Sequence, residues 1–251
     1  MCGIIGFVGQ VPEGCWGQTH SIIESLLRHA EHRGRDASGF VANAVPFDSP
    51  AKTSVVFDKQ PQRATGFIKS NSTFRGLRHR RCVSFVGHVR AATHGSPANN
   101  SNNHPFVSDD RKLFLVHNGV LSNHEDVAGS LSLKLVTECD SEVLLRLVET
   151  AASVPSGLQD CLKLLKGSMA IVVYERATGF VWLAHNGGRP LWLARLHGDR
   201  HRMFIASTPE ILIDGIGAVV RKPGFDCLIP APEGIPLVLT PDGRLIAVDS
   251  G

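Results

Sequence analysis

Met1-Cys2-Gly3-Ile4-Ile5-Gly6-Phe7-Val8-Gly9 is the stretch on which the reading of this chain turns. Ile4 to Val8 is an apolar run of the length of a short buried strand. Cys2 therefore stands at the end of a rigid element and not on a frayed terminus. Removal of Met1 leaves Cys2 with a thiol and a free α-amine on the same residue. An unperturbed α-amine titrates at about 7.7–8.0, far below a lysine. It can take a proton from a neighbouring nucleophile near neutral pH, so one residue carries both nucleophile and base. Taken alone, a cysteine at position 2 reads better as a small buried hydrophobe. The reactive reading depends on partners elsewhere in the chain.

The 251 residues are 43% hydrophobic and 20% charged, which fits one large domain or two small ones with a real core. A net charge of +3 gives no whole-chain reason to expect nucleic acid or a membrane surface. The basic run Arg78-His79-Arg80-Arg81 reads as a solvated loop. No apolar run reaches the ~18 residues of a membrane span, and glycine and proline interrupt the region where a signal peptide would lie. The cysteines Cys2, Cys15, Cys82, Cys139, Cys161 and Cys227 form no CxxC pair. Their scatter predicts no metal site and no disulfide framework, and a reducing, cytoplasmic setting. No cofactor is expected.

Outward from the first strand, Ser21 to Ala30 has helical periodicity, with Ser21 and Glu24 at capping-box spacing. His32-Arg33-Gly34-Arg35-Asp36-Ala37-Ser38-Gly39 breaks it as a polar loop. Phe40–Ala44 and Thr53–Phe57 read as strands, and Gln62–Ile68 as a short helix. Cys82–Val89 is a β-branched and aromatic run, hence a central strand. Ser96 to Pro105 is too polar for a core and too long for a tight turn, so it is a candidate binding loop. Lys112–Val116 is a strand that runs into His117-Asn118-Gly119, and Asn-Gly is the strongest short hairpin-turn signal. Helices are expected over 122–130, 140–152 and 156–165. Asp140, just before one of them, stands where an N-cap is expected. Strands at 168–174, 181–184, 191–195 and 203–206 follow, then a helix at 208–213 and further strands up to 248. Strands joined by short turns are antiparallel, and each helical block must cover a sheet face. The economical arrangement is α+β: a four-layer αββα sandwich of two antiparallel sheets with helices outside, although other α+β layouts fit the same element order. One domain is expected over 1–251, with 215–251 as closing strands.

Seven segments then acquire a common meaning. CGIIGFVG, HRGRDASG, GHVRAATHG, the Asn102-Asn103-His104-Pro105 stretch, VHNGVLSNH, TECDSEV and IAST occur in the order found in one family, across residues 2 to about 210. Together they resemble the class II, N-terminal-nucleophile, glutamine amidotransferase domain, and among its members the glutaminase half of the glucosamine-6-phosphate synthases. The resemblance implies an Ntn-hydrolase-like fold and glutamine as substrate. It implies that Cys2 forms a thioester with the glutamine γ-carbonyl, with its own α-amine as base, and that the Asn118 side chain and the Gly119 N–H form the oxyanion hole. Arg90 would clamp the substrate carboxylate, helped by Thr93 and His94, and Asp140 would meet the α-ammonium. Arg33 and Asp36 would brace the Cys2 end, and His104 with Pro105 would belong to a loop that closes over glutamine.

Each residue also has a plain structural reading: Arg90 as a strand-end arginine in a surface salt bridge, Asn118-Gly119 as a hairpin turn, Asp140 as a helix cap. One departure stands out. Ala91 occupies the place where the sugar-synthase relatives carry Trp, which removes the basis for an ammonia-gating role there. With no P-loop and with 215–251 too short for a second active site, the expected partner is a separate ammonia-accepting synthase protein. Two other readings remain: a stand-alone amidohydrolase acting on a γ-glutamyl or related amide, and a silent regulatory or binding module. The oligomeric state is not legible.

Overall fold

A computed structural model describes residues 1–47 and 53–248. In chain order its elements are β1 (Gly3–Gly9), α1 (Trp16–Ala30), β2 (Ala37–Pro46), β3 (Ser54–Gln60), α2 (Ala64–Ser70), α3 (Ser72–Gly76), β4 (Arg80–Arg90), β5 (Phe106–Val107), β6 (Leu113–Leu121), α4 (His124–Ser130), α5 (Glu142–Thr150), α6 (Val154–Leu164), β7 (Gly167–Glu175), β8 (Val181–His185), β9 (Trp192–Leu196), β10 (Arg202–Ala206), α7 (Pro209–Gly217), β11 (Phe225–Pro230), β12 (Leu237–Leu239) and β13 (Leu245–Ala247). One sheet runs β11-β9-β10-β1-β4-β2-β3 and the other β13-β12-β8-β7-β6-β5. Every pairing is antiparallel.

Strand side chains alternate between faces, and the alternation divides the apolar residues among three cores. On β1, Ile5 and Phe7 join Ile22, Ile23, Leu26 and Leu27 of α1 on the outer face. Ile4 and Val8 join Val116, Ala170 and Val172 of the second sheet on the inner face. On β7, Met169, Ile171 and Val173 pack with Leu144, Leu147 and Leu158 of α5 and α6. Both faces of each sheet are thus covered, giving the four-layer αββα sandwich. This is why Ile4 to Val8 is apolar throughout and does not alternate with polar residues.

Several local expectations change. The first helix begins at Trp16, with Cys15 as N-cap, and Ser21 lies inside it with its hydroxyl on Gly17 O at 2.9 Å. The Ser21/Glu24 capping box is therefore not formed. Arg80 and Arg81 are not loop residues: they open β4, while Arg78 reaches Glu24 at 2.8 Å. Asn118 and Gly119 are not a hairpin turn: they lie within β6, opposite Ala170 and Met169 of β7. The N-cap of α5 is Ser141, so Asp140 is not the cap. Beyond α7 the described residues include three short strands, β11 to β13; the part of the closing-strand expectation on 249–251 lies outside the described residues. Among the described residues, no helix is long and apolar enough to cross a membrane.

Candidate active site

Strand parity brings the site together. Cys2 precedes β1 with the same parity as the inner-face Ile4. On β4, Arg90 has the parity of Val86, and on β6, Asn118 has the parity of Phe114 and Val116, all three of them inner-face residues. Gly3 pairs with Val89 and Ile5 with Ala206, so the start of β1 lies beside the ends of β4 and β10. Residues far apart in sequence therefore meet between the sheets at one end of the sandwich.

The Cys2 thiol lies against the chain just after β4. Ala91 N–H approaches Sγ at 3.4 Å, and Sγ lies 3.5 Å from Ala91 O. Burial pushes the thiol up from its usual range; the Ala91 N–H, the chain-terminal amine and Arg90 act in the opposite direction. Burial thus favours the protonated thiol at Cys2. Arg33 donates to Cys2 O at 2.9 Å, and Asp36 accepts the Ala92 N–H at 2.8 Å. Arg33 and Asp36 thus fix the two strips of backbone that flank the thiol. Gly34 is required between them, because a Cβ there would collide with the Arg90 carbonyl.

Asn118 is buried and donates to Ser207 Oγ at 3.3 Å, and the same oxygen accepts the Ile4 N–H at 2.8 Å. Ser207 is thereby the pin between the two sheets beside Cys2. It was not singled out from sequence, although it lies within IAST. The free edge of β6 is also informative. Backbone groups of alternate residues in a strand point to the same side. Leu113 O bonds Ser108 on the outer side, His117 O bonds His88 Nε2 at 2.9 Å, and the Leu121 N–H is taken by Asp140 Oδ2 at 2.8 Å. Gly119, midway between 117 and 121, points its N–H to this same side. β5 pairs only with Phe114 and Leu115, so it does not reach Gly119. A Cβ at Gly119 would strike the Ser168 carbonyl oxygen.

Arg90 is buried and is not a surface ion-pair residue. Its Nη1 donates to Asn103 Oδ1 at 2.9 Å, and its Nη2 donates to His94 O and to Gly95 O, the latter at 3.0 Å. A guanidinium has five donors, so the 94–103 loop uses three. Cys139 Sγ, buried, lies 3.9 Å from Nη2 and 3.7 Å from Asp140 Oδ1, placing a small thiol between the arginine and the buried Asp140 carboxylate. His94 Nδ1 is 3.8 Å from Asp140 Oδ2, and Thr93 is exposed.

His104 is buried, its ring 4.0 Å from that of His88 and 4.9 Å from that of Phe106. With His117, whose Nδ1 lies 2.8 Å from Ser141 Oγ, these histidines form a floor. Burial holds His88 down at about 3, His117 at about 4 and His104 well below the usual imidazole range. All three are neutral at pH 7. Among the described residues, no His, Cys, Asp or Glu cluster is arranged to hold a metal.

Comparison with known proteins points to one family. A family model described as "Glutamine amidotransferase domain" matches residues 88–214. Glutamine–fructose-6-phosphate aminotransferase (isomerizing) of Staphylococcus aureus is 32% identical over 177 residues, covering 68% of this chain and 26% of the relative. The enzyme of the same name from Thermus thermophilus is 29% identical over 222 residues, covering 86% and 30%. The chain thus spans less than a third of the length of these relatives. Among solved structures, glutamine phosphoribosylpyrophosphate amidotransferase from B. subtilis, complexed with ADP and GMP, superposes with a TM-score of 0.73 at 22% identity. It covers 98% of this chain and 49% of that one, a likeness of fold. A structure described as the allosteric regulatory enzyme of purine biosynthesis gives 0.71 at 23% identity, covering 98% and 48%.

Proposed function

Because the chain belongs to the class II glutamine amidotransferase family, we propose that it hydrolyses glutamine to glutamate and ammonia at Cys2 and passes the ammonia to a separate synthase protein. The observation that carries this reading is the open Gly119 N–H beside the Asn118 side chain, both on the strand that Ser207 ties to β1. Two neutral donors at the end of a nucleophile-bearing strand fit an acyl-transfer oxyanion.

Met1 is exposed, and its removal frees the Cys2 α-amine. The amine takes the Sγ proton, and sulfur attacks the γ-carbonyl carbon. The Asn118 amide and the Gly119 N–H receive the oxyanion. The α-ammonium returns its proton to the departing nitrogen, the C–N bond breaks, and ammonia leaves a thioester. Water, deprotonated by the same amine, cleaves the thioester and restores the thiol. The raised thiol supports an amine base over a preformed thiolate. In this reading Asp140 receives the α-ammonium and Arg90 the α-carboxylate, with Thr93 and His94 at the rim. Both two-point faces of a guanidinium use Nη2, whose two donors already serve His94 O and Gly95 O. A two-point grip on carboxylate therefore displaces one of these carbonyls, and substrate entry reorganises the start of the loop.

Ammonia protonated in bulk water has no lone pair to offer, so a nearby acceptor is needed. The decisive experiment pairs intact mass with glutamate release. Active protein lacks Met1, and glutamate release accelerates when the acceptor synthase is added. Active protein that retains Met1 would defeat the mechanism. Turnover indifferent to any synthase would favour the stand-alone amidohydrolase.

A further inference from the structure

Lys59 lies near the end of β3, on the edge of the seven-stranded sheet, with nothing in its local sequence to mark it. Its Nζ nevertheless donates to Asn103 O at 2.6 Å and to Pro105 O at 3.1 Å, with Ser101 O at 3.5 Å. The ammonium also lies 5.4 Å from the centre of the Phe106 ring. In return, Asn100 Nδ2 donates to Lys59 O at 2.7 Å. The segment held in this way is the one whose Asn103 side chain accepts from Arg90 Nη1. The Asn103 amide is fixed at its other end by Pro97 O at 2.8 Å and Asn100 Oδ1 at 3.0 Å.

We propose that Lys59 is a positioning residue for glutamine: by gathering the carbonyls of the 101–105 segment it holds Asn103, and through Asn103 the Arg90 guanidinium, where the substrate carboxylate arrives. This rests on the functional reading above and names a part of the binding apparatus that the motifs do not contain.

The electrostatics are those of a site kept for function rather than for stability. Asp58, the adjacent carboxylate, is committed to the Asn71 side chain and to the Lys59 backbone N–H, both at 2.8 Å. Among the described residues no carboxylate lies within ion-pair distance of Nζ. The groups facing it are Arg90 from β4, His104 from the loop and Cys139 from the segment before α5. Burial lowers Lys59 to about 8; Arg90 acts in the same direction and Cys139 against it. A partly buried cation without a counter-ion is costly. It gains three carbonyl bonds only while it carries three protons. As pH rises through about 8 the ammonium loses a donor and the loop loses a contact. Arginine at the same place stays charged.

Steady-state glutamate release by the wild-type chain, Lys59→Met and Lys59→Arg tests this. Lys59→Met should raise KM by ~10-fold or more while kcat stays within ~3-fold, the signature of lost ground-state binding. Lys59→Arg should recover most of the affinity. Because Lys59→Met can also weaken folding, the second measurement uses only the wild type and Lys59→Arg. The wild-type KM should climb as pH passes about 8, and more steeply than that of Lys59→Arg; glutamine's own α-amine titrates identically in both. An unchanged KM in Lys59→Met, or superimposable pH profiles, overturns the proposal while the functional reading stands. A wild-type chain that neither binds nor hydrolyses glutamine overturns both.

Discussion

The site has two halves built on different principles. Cys2, Asn118 and Gly119 sit on or against β1 and β6, in paired strands with cores on both faces. Arg90 ends a strand, but its guanidinium is oriented by the loop that follows. Asp140 belongs to a segment tied to that loop and to the edge of β6. On the proposed reading, the reacting atoms are held by sheet registers, which cannot slip without turning every side chain to the wrong face. The recognition atoms are held by side-chain bonds to loop carbonyls, which can be exchanged for bonds to a ligand. Substitutions in the first half should act on kcat, and those in the second on KM.

The sharpest test is Cys2→Ala, which removes the nucleophile and leaves the recognition half intact. Glutamate release should fall on the order of 10⁴-fold or more, about 5 kcal/mol. Calorimetry should still find glutamine binding at near wild-type affinity. Residual turnover at the wild-type rate would place the nucleophile elsewhere.

Acid should break both halves together. His88 and His117 belong to the strands and His104 to the loop, and all three are held neutral chiefly by burial. Their folded values lie below the ~6.5 of an unfolded chain, so the unfolded state binds the extra protons as pH falls from there towards 4. Stability must drop over that window, by up to about 4 kcal/mol per pH unit if all three take part. Urea midpoints measured from pH 7 to 5 give the slope. A flat profile would show that the floor accommodates charge.

Asn118→Ala should cost about 2.7–4 kcal/mol in kcat, as loss of one oxyanion donor does elsewhere, with KM changed little. Arg90→Lys should do the reverse. A point charge cannot make the planar two-point grip, so KM should rise roughly 10- to 100-fold, about 1.4–2.7 kcal/mol, while kcat at saturation is largely kept. If Arg90→Lys lowers kcat as far as Asn118→Ala does, the two halves are not separable.

The strand half was the more legible in sequence. The uninterrupted apolar run of Ile4 to Val8 reports a strand covered on both faces, and the motif order places Cys2, Asn118 and Gly119 in one family. The local form of Asn118-Gly119 was not legible, because a strong turn dipeptide is overridden by nine-residue pairing with β7. Ser21 and Glu24 misplaced the start of α1 because capping spacing is a short-range signal, whereas Trp16 is fixed by packing and by its indole N–H on Leu77 O at 3.2 Å. Asp140 read as a cap because its real partner, the Leu121 N–H, is far away in the chain. In the loop half, Lys59 gave no signal: a lysine near the end of a half-buried strand becomes special only when a distant loop turns its carbonyls towards it. His104 was legible as a motif residue but not as a buried one, since its burial depends on the ring of His88 from another strand.

The smallest effect concerns the staple that makes the recognition half a unit. Asn102 Nδ2 donates to Glu138 Oε2 at 3.0 Å, and the Glu138 N–H donates to Asn102 Oδ1 at 3.1 Å. This reciprocal pair joins the loop that orients Arg90 to the segment that carries Asp140. Glu138→Ala removes one bond of the pair and leaves the buried Asn102 amide with Ser96 O at 3.1 Å as its acceptor. A single bond with a compensated donor is worth about 1 kcal/mol, so KM should rise roughly fivefold with kcat unchanged. In the proposed reading glutamine's two charged ends are met by the two stapled segments, and slack between them should weaken both contacts at once. A Glu138→Ala protein that is less stable yet has the wild-type KM would mean that the carboxylate and ammonium sites are positioned independently, and that the recognition half is two parts rather than one.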